Sequence, residues 1–408
     1  MTTGLARRLG LADAIAIGLG SMIGAGAFAV WRPAIDAAGP WILVALALAA
    51  VVAFCNATSS AQLAAVHPVA GGSYAYGNAE LGAWWGYLAG WCFLIGKLAS
   101  CAAMAMTFAT YAAPGYERPV AVAAIVALTI VNLLGVTRTA LATKILVVVV
   151  LVSLVVVAAA GIAAPVADEP VEGEGWYGVL QAAGLLFFAF AGYARIATMG
   201  EEVRDPARTI PRAILGAFAG ALLVYIVLAV VSYRAIGGDG SAAPLADIVS
   251  AAGWSWGGPI VRVGAACAAL GALLALVAGI GRTSLAMARG GDLPEVFSRI
   301  HPKTQVPYLA EIAVALVVIG VVMVADLRGA IGFSSFGVLL YYLVANLSAY
   351  RQGPAVRRYP RWLQVLGSVG CVALAAMLPW QSVAAGLALV ALGVAIRAAR
   401  LILERRTV

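Results

Sequence analysis

Charge is what this sequence has least of. Only 11% of its 408 residues are charged, where a soluble globular domain carries about 25%. Histidine is nearly absent: the two present, His67 and His301, each precede a proline and read as turn residues. The five cysteines (Cys55, Cys92, Cys101, Cys267, Cys371) are odd in number, lie within apolar runs and show no metal-ligand spacing. They read as small packing residues. No G-x-x-x-x-G-K-[ST] loop is present, which excludes a pump driven by ATP through that motif. No acid pair, metal cluster or nucleophile–histidine set appears, so the chain does not read as an enzyme and no cofactor is implied. Uninterrupted polar sequence long enough for a soluble domain is missing too, as is a cleavable leader, because the first apolar stretch is too long and lacks a small-residue exit.

What fills the space is hydrophobic sequence, 63% of the chain. It falls into about twelve apolar runs of membrane-spanning length, at 11–36, 40–65, 84–113, 119–136, 143–164, 176–199, 210–236, 259–288, 308–325, 328–350, 361–379 and 382–403. The expected architecture is a single all-α polytopic membrane domain embedded in the bilayer. The net charge of +8 would suit a nucleic-acid partner if it were clustered, but it alternates from loop to loop. With the N-terminus inside, Arg7, Arg8, Arg138, Lys144, Arg204, Arg208, Arg212, Arg357, Arg358, Arg405 and Arg406 are cytoplasmic. Arg32, Arg118, Arg234, Arg262 and Arg328 are outside, and the outer loop before the sixth run carries Asp168, Glu169, Glu172 and Glu174. This is the positive-inside pattern; it places both termini in the cytoplasm and leaves no nucleic-acid surface.

Two runs are interrupted. Residues 18–28, GLGSMIGAGAF, carry four glycines, which destabilise a helix and predict a break near mid-membrane. Broken backbone is tolerated at that depth only where it lines a cavity. Its freed N–H groups, next to the positive end of the following half-helix, form a site for a small carboxylate. The sixth run breaks at residues 187–195, FFAFAGYAR, around Gly192. The breaks open two blocks of similar length, about 11–164 and about 176–350, with five runs each. An odd number per block sends the second into the membrane from the opposite face, the inverted-repeat plan of secondary transporters. Runs eleven and twelve, about 361–403, lie outside it; their Gly386 and Gly393 suit either a homodimer contact or intramolecular packing. Residues 66–82 predict a short interfacial or re-entrant segment, and Pro211 and Pro307 are placed at helix starts.

Four stretches, GLGSMIGAGAF at 18–28, HPVAGGSYAY at 67–76, FAFAGYARIATMGEEVRDPARTIPRAI at 188–214 and AMARGGDLPEVFSRIHPKTQVP at 286–307, resemble permeases of the amino acid–polyamine–organocation (APC) superfamily. The resemblance covers roughly residues 8–350. It implies the five-plus-five inverted-repeat fold with broken helices one and six, alternating access, and amino acids or related amines as substrates. By position, it implies that Gly24, Ala25 and Gly26 present N–H groups to the substrate carboxylate. The carbonyls of Ser21, Met22, Phe190 and Ala191 would receive the α-ammonium, and Phe188 would fold over the substrate. Ala194 stands where some cation-selective relatives carry an acid.

Lys97, about 20 Å into the third run at 1.5 Å per residue, is a charge at mid-depth and so a functional hypothesis. Arg195 lies beyond the second break, in contact with substrate or locking the helix; Arg282 is close enough to the end of the eighth run to snorkel. No acid occupies comparable depth. That argues against cationic substrates and for neutral amino acids, with acidic ones or other organic anions as the alternative and a non-transporting sensor as the alternative of another class. The resemblance also implies a coupling site involving a lysine in helix five, or sodium between helices one and eight. Here helix five offers Lys144 only at its start and Ser153 deeper in, while Thr283 and Ser284 are the hydroxyls a sodium site would draw on. The coupling reading therefore centres on Lys97, by proton symport or by exchange.

Overall fold

The computed structural model describes residues 9–67, 71–135, 140–167, 171–197, 203–237, 241 and 243–406. Arg7, Arg8, Arg138, Asp168, Glu169 and the parts of the second and third motifs at 68–70 and 198–202 lie outside the described residues. The chain is helical. The first run is broken into α1 (Leu11–Met22), α2 (Gly26–Ala29) and α3 (Trp31–Ala38), followed by α4 (Ile42–Val66), the short α5 (Ser73–Glu80), α6 (Ala83–Ala112), α7 (Glu117–Leu133) and α8 (Ala140–Ala163). The second broken run is α9 (Gly175–Phe190), a 3-10 turn at Ala191–Tyr193 and α10 (Ala194–Ala197). Then come α11 (Pro206–Ala235), α12 (Pro244–Ala251), α13 (Gly257–Arg289), α14 (Tyr308–Val324), α15 (Leu327–Arg351), α16 (Arg361–Met377) and α17 (Trp380–Arg406). Among the described residues, nine helical spans are long and apolar enough to cross a membrane by length and composition, and Tyr308–Val324 and Arg361–Met377 are shorter apolar helices.

Polar contacts sort the helix ends into two layers. At one, the near end, Leu9 pairs with Val203, Lys144 lies 2.7 Å from Asp13 and Asp292 pairs with Arg397. At the far end Arg32 donates to Gly237 O at 3.0 Å, Glu174 N donates to Ala37 O at 2.8 Å and Arg262 donates to Tyr111 O at 2.7 Å. The α1–α3 run therefore crosses from near to far, and the α9–α10 run crosses from far to near. Exposed tryptophans collect at both levels, Trp41, Trp176, Trp256 and Trp380 at the far end and Trp84, Trp85 and Trp362 at the near end. That is the distribution of interfacial aromatic belts.

Two elements differ from the sequence reading, and a third feature takes one of its two alternatives. The short α12 in the loop after α11 went unread; it packs over the far end, with Leu245 N donating to the Tyr111 hydroxyl at 3.4 Å. Pro211 lies inside α11 rather than at its start, which is taken by Pro206. A proline removes the N–H that would bond the carbonyl four residues back, here Ala207, and the Arg358 guanidinium donates to that carbonyl at 2.9 Å. Gly386 and Gly393 serve intramolecular packing: a Cβ on them would lie 2.3 Å from the Phe336 ring and 2.4 Å from Trp91 Nε1.

A buried polar ladder joins α4, α15 and α16, where an apolar seam would be the default in hydrocarbon. Ser59 Oγ donates to Asn346 Oδ1 at 2.6 Å and Asn346 Nδ2 donates to Asn56 Oδ1 at 2.6 Å. Lower down, Gln62 donates to Ala349 O and Gln352 Oε1 and accepts from the backbone N–H groups of Arg358 and Tyr359. Gln352 continues to Glu80, which also meets His67 at 2.8 Å. Side-chain amides of this kind fix helix register where dispersion alone does not discriminate.

A candidate binding site at the helix breaks

The two interruptions touch. A Cβ on Gly192 would lie 2.2 Å from Ser21 O and 2.6 Å from Met22 N, and one on Gly26 would lie 2.7 Å from the Ala189 Cα. Only glycine permits backbone to approach backbone this closely. The sequence reading of two breaks thus becomes one locus, with Ser21, Met22, Gly24, Ala25 and Gly26 on one side and Phe188, Phe190 and Ala191 on the other.

Within the first break the hydrogen bonding is one-sided. The carbonyls of Gly24, Ala25 and Gly26 accept from Ala27, Phe28 and Val30 at 3.1, 3.0 and 3.3 Å. The N–H groups of Gly24 and Ala25 donate to no other described residue, although both are buried. Buried N–H groups without acceptors are rare in folded proteins, and two in succession are a pair of donors suited to an anion.

The carbonyl side is partly occupied. Tyr225, from α11, is buried and places its hydroxyl 2.6 Å from Met22 O and 3.0 Å from Ala189 O. One proton is thereby shared between a carbonyl of each broken run. Its ring stands edge-on to Phe190 at 5.1 Å between centroids. Tyr342, from α15, donates to Ala191 O at 3.4 Å and packs on Tyr193 at 5.0 Å. Two of the four carbonyls expected to receive an ammonium group, those of Met22 and Ala191, therefore already accept tyrosine hydroxyls. Neither tyrosine was singled out from the sequence, since only the three-dimensional packing brings α11 and α15 to the breaks. Phe188 is buried one residue before the Ala189 contact, whereas the Phe190 ring turns toward Phe218 and Tyr225 of α11.

The remaining residues take different places. Lys97 is buried in α6, and no hydrogen bond or ion pair joins its side chain to another described residue. The α6–α13 register is set by Gly90 against Met287 and by Tyr111 with Arg262, which brings Lys97 level with residues 276–280 of α13. Gly24 packs on Ala272 of the same helix, so Lys97 lies about 6–12 Å farther along α13, toward the near end. A Cβ on Gly279, within that stretch, would meet open space. Arg195 is exposed in α10, on the near side of the second break, and Ala194 opens that helix. Ser153 is buried at a tight α8–α13 crossing, against Gly264, and donates to Val150 O of its own helix at 2.7 Å. Thr283 likewise bonds back to Gly279 O at 3.1 Å. Among the described residues the buried charged side chains are Lys97 and Glu311, the latter on α14 against Gly281. No group of three or more potential metal ligands occurs among the described residues.

The sequence profile of the family described as amino acid permease matches residues 13–399. The chain is 54% identical, over 410 residues, to an uncharacterized transporter of Mycobacterium tuberculosis (strain ATCC 25618 / H37Rv), covering 98% of this chain and 93% of the relative. It is 25% identical to a branched-chain amino acid permease of Bacillus subtilis (strain 168), covering 75% of this chain and 72% of that protein. It is 28% identical to cationic amino acid transporter 4 of Homo sapiens, covering 84% of this chain and 59% of that protein. The chain belongs to the amino acid permease family: it is a multi-pass membrane transporter and not an enzyme.

Proposed function

We propose that this permease carries neutral amino acids across the cytoplasmic membrane by alternating access between the two broken runs, arranged as a five-plus-five inverted repeat of twelve crossings. The observation that carries the reading is the pair of buried, acceptor-less N–H groups at Gly24 and Ala25, beside Gly26 where it presses against the opposite break. A substrate carboxylate would accept from these groups and from the Gly26 N–H, and the α-ammonium would lie over the carbonyls of Ser21, Met22, Phe190 and Ala191, displacing the Tyr225 and Tyr342 hydroxyls where it lands. Phe188 would close over the bound solute. The near end is taken as cytoplasmic, because Lys144, Arg204, Arg208, Arg289, Arg357 and Arg358 gather there.

Substrate charge follows from what surrounds the breaks. Relatives are named for branched-chain and for cationic amino acids, so family membership does not choose between them. A second cation on the substrate calls for an acid at the breaks, and the buried acid among the described residues, Glu311, belongs to α14. Lys97 would oppose such a cation, which leaves neutral amino acids first and acidic ones second. Lys97 is also the group we assign to couple a proton to transport, since it is a buried charge on α6 about 6–12 Å farther along α13 than the contact of the first break. Arg195 would gate the near-side exit, and Ser153 would hold the α8–α13 crossing against which the break moves.

Ligand-dependent thermal stabilisation of the purified protein tests the substrate class, read across neutral, acidic and cationic amino acids. Stabilisation by neutral members alone is expected; stabilisation by arginine or lysine would overturn the charge argument. For coupling, Lys97→Met is expected to retain binding and to lose the pH dependence of uptake. A variant with unchanged, fully pH-dependent uptake would remove Lys97 from the mechanism.

A further inference from the structure

A cavity of about 610 Å³ opens at the near end between the α13–α14 loop and α17. Arg289, Arg400, Glu295 and Ser298 supply its polar lining, and Leu293 and Ile396 its apolar edge. It takes no part in the site at the breaks. Asp292 and Arg397 form an ion pair with side chains 12% and 11% exposed. The Arg397 guanidinium lies 5.1 Å from the centroid of the Trp84 ring and 4.5 Å from that of Tyr87. The Tyr74 hydroxyl donates to Asp292 at 3.0 Å; burial, with the Asp292 carboxylate beside it, pushes that hydroxyl up to about 12, so it stays a donor at neutral pH. Asp292 is thus committed to Arg397 and Tyr74. The second guanidinium, Arg400, is drawn over the loop at Gly291, where φ is +74° and a Cβ would come within 2.9 Å of Nη2.

Depth decides what reaches such a cavity. From Trp380 to Arg400 α17 rises about 30 Å, the thickness of a bilayer's hydrocarbon core. Trp380 is 70% exposed at the far level, and Trp84 and Trp85 mark the near one. Arg289 and Arg400 therefore stand at the level of lipid phosphates. The most apolar stretch of α17 is only 17% buried inside the protein, and Ile396 and Ile402 are exposed along it. The cavity's apolar edge continues directly onto the surface where acyl chains lie.

We propose that this cavity binds the headgroup of an anionic glycerophospholipid of the phosphatidylglycerol class from the adjoining leaflet. The phosphate lies between the Arg289 and Arg400 guanidinia, which suit it through paired N–H donors. The glycerol hydroxyls donate to the Glu295 carboxylate and meet Ser298, so the acid that would repel a bare anion serves this headgroup. Basic pockets between membrane helices on the cytoplasmic side recognise anionic headgroups in this way. The inference stands whichever solute is carried.

The test reconstitutes the full chain in phosphatidylcholine vesicles containing spin-labelled phosphatidylglycerol or phosphatidylethanolamine, and reads the motionally restricted fraction of each. Wild type is expected to enrich phosphatidylglycerol about fivefold over phosphatidylcholine. The Arg289→Gln/Arg400→Gln double variant is expected to lose that preference. Gly291→Ala, which crowds the Arg400 side chain and strains the loop backbone at φ +74°, is expected to reduce it, while elution as a single species and unchanged uptake show that each variant is folded. Equal enrichment in wild type and the double variant would overturn the proposal. So would equal retention of phosphatidylethanolamine, and so would full displacement by soluble glycerol phosphate, which would make the cavity a site for free anions.

Discussion

At the residue scale, the account rests on the places where two backbones meet. Gly192→Ala puts a methyl group 2.2 Å from Ser21 O, a peptide oxygen that cannot swing aside as a side chain would. Uptake is expected to fall about tenfold or more, a barrier change of about 1.4 kcal/mol. Gly258→Ala on α13, where a Cβ would meet nothing within 4 Å, is expected to behave as wild type in the same assay. Tyr225→Phe keeps the ring against Phe190 and removes the shared hydroxyl, leaving two buried carbonyls without a donor. Each such group costs about 1–3 kcal/mol, so the two broken runs are expected to separate more readily. Lower thermal stability together with slower uptake would be seen; an unchanged variant would show that the hydroxyl does not tie the breaks together.

Among the elements, the buried amide ladder makes α16 part of the α4–α15 unit and not a loosely attached appendage. Asn346→Leu breaks the bonds to Ser59 and Asn56 and leaves polar atoms buried in an apolar surround, at a cost of about 2–4 kcal/mol. A clearly lowered unfolding temperature in detergent is expected. Ser368→Ala, which deletes only a bond to Gln364 O of its own helix, is expected to change little. The elements were also where the sequence was most legible. Long apolar runs bounded by charged loops marked the long helices to within a few residues, as with 210–236 against Pro206–Ala235. A glycine run marked the first break and the single Gly192 the second, because glycine weakens a helix by a local mechanism that needs no neighbour. What escaped depended on distant partners. The contribution of Tyr225 exists only because α11 crosses both breaks. The interior Pro211 is tolerated because Arg358, far along the chain, takes up the carbonyl it frees. The short α12 has too little apolar sequence to stand out from a loop until it is seen packed on Tyr111.

Taken as a whole molecule, the protein sets two opposed broken runs against each other inside a frame of unbroken helices, with polar contacts concentrated at its two ends. Buried charge is limited, among the described residues, to Lys97 and Glu311, on α6 and α14, two helices that pack on α13 and on each other. This division fits the proposed mechanism, in which the breaks move and Lys97 couples a proton. The most direct measurement is uptake of labelled neutral amino acids by wild-type and Gly192→Ala protein in proteoliposomes, in sodium-free buffer with and without an inward proton gradient. Wild type is expected to show saturable uptake, enhanced by the gradient, and Gly192→Ala to lose nearly all of it. Equal uptake by the two proteins would contradict a substrate site at the meeting of the two breaks.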